Sequence, residues 1–403
     1  MKIFDVRNYG ATGSGNTLDT AAIQRAIDAC SEAGGGQVLL TEGRYLCGFI
    51  QLHSGVELRI ESDAVLLGST NGEDFPPIET EFWKTEFAPR FNARCFIYAE
   101  GCRDIAITGR GKIDCQGWAY LKDADAGIWR KWRNTDVSPA RMVFFIGCQD
   151  VHIEDISMID AAAGWNFWIC DCDRVFFDRV TVLSDLHCPN SDGIHINCSR
   201  DVAISNCFVK CGDDALIVRG YSTLLKKATP CERVTVSNCT LQSYCNAIRI
   251  GWYGDYIMRD CVFSNLTIVN SNTGIGIVLP KTTPGKRASD EGDTPTLIEG
   301  IQFNNIVMDG VFYEPISIKI GENCLVEGIR DLSFSHIRAV SGLMPHLIGR
   351  EDRPLKNLLF SDCQFTIRPN PDPDGPLKPC SAPESAWFRN VENLRLDRIE
   401  VNL

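Results

Sequence analysis

Two short acidic segments carry the clearest chemistry in this chain. Asn190-Ser191-Asp192-Gly193-Ile194-His195-Ile196 is followed, about one repeat later, by Cys211-Gly212-Asp213-Asp214-Ala215-Leu216-Ile217-Val218-Arg219. Alternation along extended strands predicts that Ile194, Ile196, Leu216 and Val218 point inward. Asp192 and His195 then lie at or near the outer face, and stacking of the two segments brings Asp192 beside the Asp213–Asp214 pair. Three carboxylates on one strip repel one another and raise a pKa. Glycoside hydrolysis uses that arrangement: one carboxylic acid protonates the leaving oxygen while a carboxylate activates water. On residue types alone, a solvated Asp-rich turn or a calcium site stays open.

The elements that must hold these groups form a repeat. One pattern of turn, apolar residue and alternation recurs, and its first strand residue falls at Ile105, Val151, Val175, Val202, Val234, Ile301, Ile329, Leu358 and Leu394. Each unit holds two or three short strands punctuated by Gly, Asn, Asp or Ser, and none can close a core alone, so units must stack. Helices do not alternate with the strands, which argues against a doubly wound sheet. The pattern predicts an all-β fold, a single-stranded right-handed parallel β-helix, as one domain over 1–403. Residues 1–75 form the N-terminal cap and first coils, and 95–403 the main coils, with loop insertions at about 116–140, 281–296 and 369–387 and a further break at 71–94.

Ile23, Ala26, Ile27 and Cys30 follow helical spacing. They predict a capping helix with Asp19 as its N-cap and Gly34 as its stop. The loops carry Trp83, Phe87, Trp118, Trp129 and Trp132, of which two or more are candidates to line a sugar site.

Composition narrows the function. There are 40 Lys+Arg against 52 Asp+Glu, a net charge of −12, which argues against nucleic-acid partners. No apolar run reaches the ~18 residues of a membrane span, and the opening MKIFDVRNYGATG lacks the apolar stretch of a signal peptide. A cytoplasmic location is the expectation. The 19 cysteines include no CxxC pair, so reduced, buried thiols are expected in preference to a zinc site. Cys207, Cys239, Cys261 and Cys363 fall at interior ladder positions.

The whole pattern resembles glycoside hydrolase family 28, the polygalacturonases, in the pectinase superfamily of β-helix proteins. The resemblance runs over roughly residues 3 to 365. It rests on FDVRNYGATGSGNTLDTAAIQRAIDAC, GGGQVLLTEGRYLCGFIQLHSGVELRIESDAVLLGST and IYAEGCRDIAITGRGKIDCQG, and on the match of Asn190-Ser191-Asp192 and Gly212-Asp213-Asp214 to the family's Asn-Thr-Asp and Gly/Gln-Asp-Asp motifs. It implies Asp213 as general acid and Asp192 and Asp214 as the pair that activates water, with inversion at the anomeric carbon. It implies no metal and no organic cofactor.

Three departures stand out. Asn246 replaces the histidine of the family's Gly-His-Gly motif. Gly276 and Val278 replace the two cations of its Arg-Ile-Lys motif, which grips the substrate carboxylate. His195 stands where an Asp is common. Alternation turns Arg249 outward one coil beyond Asp214, and Arg219 outward after Val218, so either is a candidate substitute clamp. Asn190, His195, Asn246, His187 and Trp165 complete the candidate substrate-binding set. The expected function is an inverting glycosidase on plant-wall-type or related oligosaccharides, other than a standard polygalacturonase. The alternatives are a uronate-directed lyase or epimerase on the same fold, and a non-catalytic carbohydrate-binding β-helix protein.

Overall fold

A computed structural model describes residues 2–84, 94–123, 131–133, 138–161, 164–282, 294–368 and 387–403. Phe87 and Trp129 lie outside them, and Trp132 is described only in its backbone.

The chain winds as a parallel β-helix. The sheet that carries the site has eleven parallel strands, one per coil. They are β1 (Ile50–Gln51), β2 (Cys95–Glu100), β3 (Arg141–Ile146), β4 (Trp165–Cys170), β5 (Ile194–Asn197), β6 (Leu216–Arg219), β7 (Asn246–Ile250), β8 (Thr273–Leu279), β9 (Ile316–Ile320), β10 (His346–Ile348) and β11 (Phe388–Arg389). The remaining coil strands pair, also in parallel, on the other sides of the coil.

Asn and Asp punctuate the repeat because each coil turns through left-handed backbone, which these residues tolerate. Asp104, Asp150, Arg174, Asp201 and Arg233 all have φ between 53° and 56° and stack at one corner. There the guanidinium of Arg174 grips Asp150, and that of Arg233 grips Asp201. Inside, like stacks on like. Phe263, Phe303, Phe334 and Phe360 form a ladder with ring centroids 5.0, 5.0 and 4.6 Å apart, contacts worth about 0.5–1.5 kcal/mol each beyond area burial. Cys207, Cys239, Cys261 and Cys363 are buried in the same core.

Ile105, Val151, Val175, Val202 and Val234 pair in direct register. The ladder then departs from the expected anchors. Ile301 pairs with Leu332, which pairs with Leu358, whereas Ile329 pairs with Ile298.

Helix α1 (Thr20–Glu32) covers the first coils, with Ile23, Ala26, Ile27 and Cys30 fully buried. Gly34 follows it with φ +86°, the left-handed stop expected. Asp19 precedes the helix but makes no side-chain cap. Its carboxylate instead accepts the backbone N–H of Thr12 and Gly13, because the glycine turn ahead of the helix presents those donors to it.

Candidate active site

The outward face of the eleven-stranded sheet presents its side chains in columns. One runs through Tyr98, Phe144, Trp168, His195, Ile217, Arg249, Gly276, Ser317 and His346, each paired in register with the next. Beside it, Arg141 pairs with Trp165 and Asn246 with Thr273, and the same registers extended beyond the strand ends place Asp192, Asp214 and Glu314 in that line, with backbone hydrogen bonds to the Asp192, Asp214, Asn246 and Glu314 carbonyls. The three expected carboxylates therefore meet at the middle of the sheet. Asp192 precedes β5, and Asp213 and Asp214 precede β6. Gly212 allows the tight approach of these loops, since a Cβ there would lie 2.3 Å from the Cys188 carbonyl oxygen.

Asp213 Oδ2 accepts the backbone N–H of Asn190 (3.1 Å), and Oδ1 accepts that of Asp214 (3.0 Å). Burial, followed by the neighbouring Asp214 charge, pushes the Asp213 carboxyl up to about 6. Asp192 is buried, and its Oδ1 has no protein partner. Desolvation and then the charges of Asp213 and Asp214 lift it well above the ordinary carboxylate range. Asp214 is held differently. Its Oδ1 accepts the backbone N–H of Asn246 (3.0 Å) and the Asn246 amide (2.6 Å), and its Oδ2 faces Arg249 Nη1 at 3.2 Å. One cluster thus contains a carboxyl poised to carry a proton and a carboxylate gripped by donors, the division of labour that acid–base hydrolysis needs.

Arg249 extends over Trp252, its guanidinium carbon 3.9 Å from the ring centroid. Nη2 is buried with no protein partner, on a residue that lines the site. His195 is stacked on Trp165 at 3.9 Å. Its Nδ1 lies 3.6 Å from Asp192 Oδ2, beyond a hydrogen bond. Burial, then the cations Arg219, Arg141 and Arg249, hold its pKa well below the usual value, so it is a neutral wall.

These groups line a cavity of about 220 Å³ formed by Trp165, Asn190, Asp192, His195, Asp213, Asp214, Ile217, Arg219, Arg249 and Trp252. A second cavity of about 330 Å³ continues along the helix axis and shares Asp213, Arg249 and Trp252 with the first. In the opposite direction the face is filled. Trp83 stacks on Phe144 (5.4 Å), which stacks on Trp168 (4.5 Å), and Arg141 lies 3.7 Å from the Trp165 ring centroid. The covering strand segments pair through Trp83 and Leu225.

Several expectations need correction. Arg219 lines the first cavity, but both its Nε and Nη2 bind the fully buried Asp255 (3.0 and 2.7 Å). Its geometry is that of a structural tie, because Asp255 also accepts the N–H of Gly220 and Trp252. His187 lines neither cavity. It lies near Asp185 and packs edge-on against Tyr244. Of the loop aromatics, Trp83 is a packing anchor and Trp118 is 65% exposed, and neither lines either of these two cavities. Trp165 and Trp252 supply the aromatic surface instead. Sequence reasoning missed Trp252 and Arg141. A lone cation opening the apolar strand Arg141–Ile146 was the available signal for the latter.

The family model for glycosyl hydrolases family 28 matches residues 30–337. The chain belongs to that family. A "Probable polygalacturonase" of Vitis vinifera is 25% identical over 281 residues, 67% of this chain and 55% of the relative. A second of that name, from Arabidopsis thaliana, is 24% identical over 380 residues, 90% of this chain and 77% of the relative. This chain thus spans only about half the length of the grapevine relative. An exopolygalacturonase structure from Thermotoga maritima superposes with a TM-score of 0.77 at 19% identity, covering 100% of this chain and 92% of that one, a likeness of fold. The family shown is one of glycosyl hydrolases.

Proposed function

We propose that this enzyme cleaves a glycosidic bond in plant-wall-type or related oligosaccharides with inversion, and that unbranched polygalacturonate is not its preferred substrate. Asp213 donates the proton to the leaving oxygen, and Asp214 and Asp192 position and activate the attacking water on the other side of the sugar. The observation that carries this reading is the contrast between Asp213, whose carboxyl is pushed up to about 6, and Asp214, bound by Asn246 and Arg249.

The substrate preference rests on Gly276 and Val278, which bring no charge to the positions of the family's clamp. Arg249 is the neighbour of Gly276 in register, one coil earlier, so a single cation with one uncommitted nitrogen takes the place of two. Losing one charge-assisted hydrogen bond weakens binding by about 1.5–3 kcal/mol. A reducing compartment is part of the proposal, supported by the free thiols at every cysteine among the described residues.

The test is kcat/KM on polygalacturonate and trigalacturonate beside a panel of neutral and acidic aryl glycosides and plant-wall oligosaccharides, with the anomer of the first product read by proton NMR. Galacturonides as the best substrates would refute the preference. A retained anomer would refute the water mechanism. An unsaturated product absorbing in the ultraviolet would point to a lyase with Arg249 as its base, an assignment opposed by the Arg249–Asp214 contact.

A further inference from the structure

The second cavity has a wall that the motif positions do not explain. It is lined by Asn246, Asn272, Thr273, Tyr313, Glu314 and Ser317 among others. Asn272 is 5% exposed, and its Nδ2 donates to the Tyr244 carbonyl. That bond fixes the amide's orientation and leaves Oδ1, buried and without a protein partner, as the acceptor. Buried acceptors are rarely left unpaired, and Asn272 lines a space large enough for a ligand.

Glu314 lies one coil beyond Thr273 by extension of the strand register, and it is 4% exposed. Its Oε1 accepts from Lys319 Nζ (3.2 Å) and pairs with His346 Nδ1 (3.1 Å). Burial opposes ionisation of this carboxyl, but the His346 hydrogen bond and the Lys319 ammonium outweigh it and hold the group below its ordinary range. Lys319 is the register partner of Val278. It thus stands one coil beyond a clamp position, yet its ammonium is turned to Glu314 and it does not line the cavity. The cation in the wall is Arg249, which already faces Asp214.

We propose that the second cavity is a subsite for a neutral, hydroxyl-rich sugar ring, in which Asn272 Oδ1 and the Glu314 carboxylate accept hydroxyl protons and Glu314 turns away a ring bearing a carboxylate. This rests on the glycosidase reading above and adds the chemical class of one of the two rings at the scissile bond. Carboxylates form charge-assisted hydrogen bonds with hydroxyl donors. A uronate in the same place sets two like charges together, which is how a site discriminates against a near-isosteric ligand.

The experiment compares matched substrates. The best oligosaccharide from the panel is assayed beside its counterpart in which the ring next to the scissile bond carries a carboxylate in place of a hydroxymethyl or methyl group. The wild-type enzyme should prefer the neutral member. Glu314→Gln should reduce that preference about tenfold, the scale of one charge-assisted hydrogen bond, chiefly through KM. Because Glu314→Gln also leaves Lys319 without its carboxylate partner and can impair folding, Asn272→Ala is made in parallel. It should raise KM for the neutral substrate with kcat nearly unchanged. A wild-type preference for the uronate, or a preference ratio unmoved by both substitutions, overturns the subsite. A wild-type enzyme that hydrolyses no member of the panel overturns the glycosidase mechanism itself, a separate result.

Discussion

Asn246 and Gly276 share one space. A Cβ on Gly276 would lie 2.2 Å from Asn246 Oδ1, while the same amide donates to Asp214 at 2.6 Å. The two departures from the family pattern are therefore one interlocked change: an amide at 246 that binds the Asp214 carboxylate requires a bare backbone at 276.

That coupling is measurable. Gly276→Ala alone should push the Asn246 amide off Asp214 and lower kcat/KM about tenfold, the scale of a hydrogen bond to a charged group. In Asn246→Ala, whose side chain no longer reaches that space, adding Gly276→Ala should do little more. Contacting residues show such non-additivity. Strictly additive losses would mean that the two positions act independently. Restoring an arginine at 276 alone should fail to build a galacturonate clamp for the same reason.

The pH dependence follows from Asp213. Its native pKa is raised to about 6, so the protonated, acid-competent form persists up to that value and is lost above it. kcat/KM should fall on the alkaline side with an apparent pKa near 6. The stability sign is the same. The native state holds this proton more tightly than the unfolded chain, so the group's contribution is full below the ordinary carboxylate range and is lost as pH rises through about 6. Asp213→Asn should abolish turnover. It should also raise Tm relative to wild type above that pH, with the gain vanishing in acid. An unchanged kcat, or a Tm gain confined to acid, would remove Asp213 from the acid role.

Arg219 and Arg249 should separate cleanly. Arg219→Met strands the fully buried Asp255 carboxylate, and breaking a buried pair costs about 3–5 kcal/mol. Thermal denaturation should show a large drop in Tm. Arg249→Met leaves Asp214 its two hydrogen bonds from Asn246, so Tm should fall less than in Arg219→Met while kcat/KM falls steeply. The reverse pattern, with Arg219→Met raising KM at constant Tm, would restore Arg219 as a substrate ligand.

The filled end of the groove predicts the product pattern. Arg141, Trp165 and Trp168 close the face beside Asp192, whereas the second cavity continues past Asn246 to Glu314 and Ser317. A chain end should enter and be trimmed, releasing one small sugar from the earliest time points. A ladder of intermediate oligomers, followed by mass spectrometry, would show that substrate passes the aromatic wall.

The sequence makes the acidic cluster legible because alternation in Asn190–Ile196 and Cys211–Arg219 fixes which side chains face out, and because Arg249 lies between two core isoleucines. It conveys less where alternation breaks. Gly300 and Asp331 take left-handed backbone, so Ile298 and Ile301 both face the core. Spacing alone then cannot tell whether Ile329 or Leu332 stacks on Ile301. Outward position also says nothing about exposure. His195 and Trp168 point away from the core yet are buried, because Trp165 stacks on His195 and Trp83 packs on Trp168, contacts between distant stretches of chain that no local pattern encodes.

On the proposed function, the column that carries Trp168, His195, Ile217, Arg249, Gly276 and Ser317 is a ruler laid along the substrate. Its graduations are the ~4.8 Å spacing of paired strands, close to the length of one sugar ring. A charge that moves from one coil to the next, as between Gly276 and Arg249, shifts recognition by about one sugar unit while the core beneath stays the same. Such a scaffold can change the sugar it reads by altering single outward residues, and the three aspartates need not move.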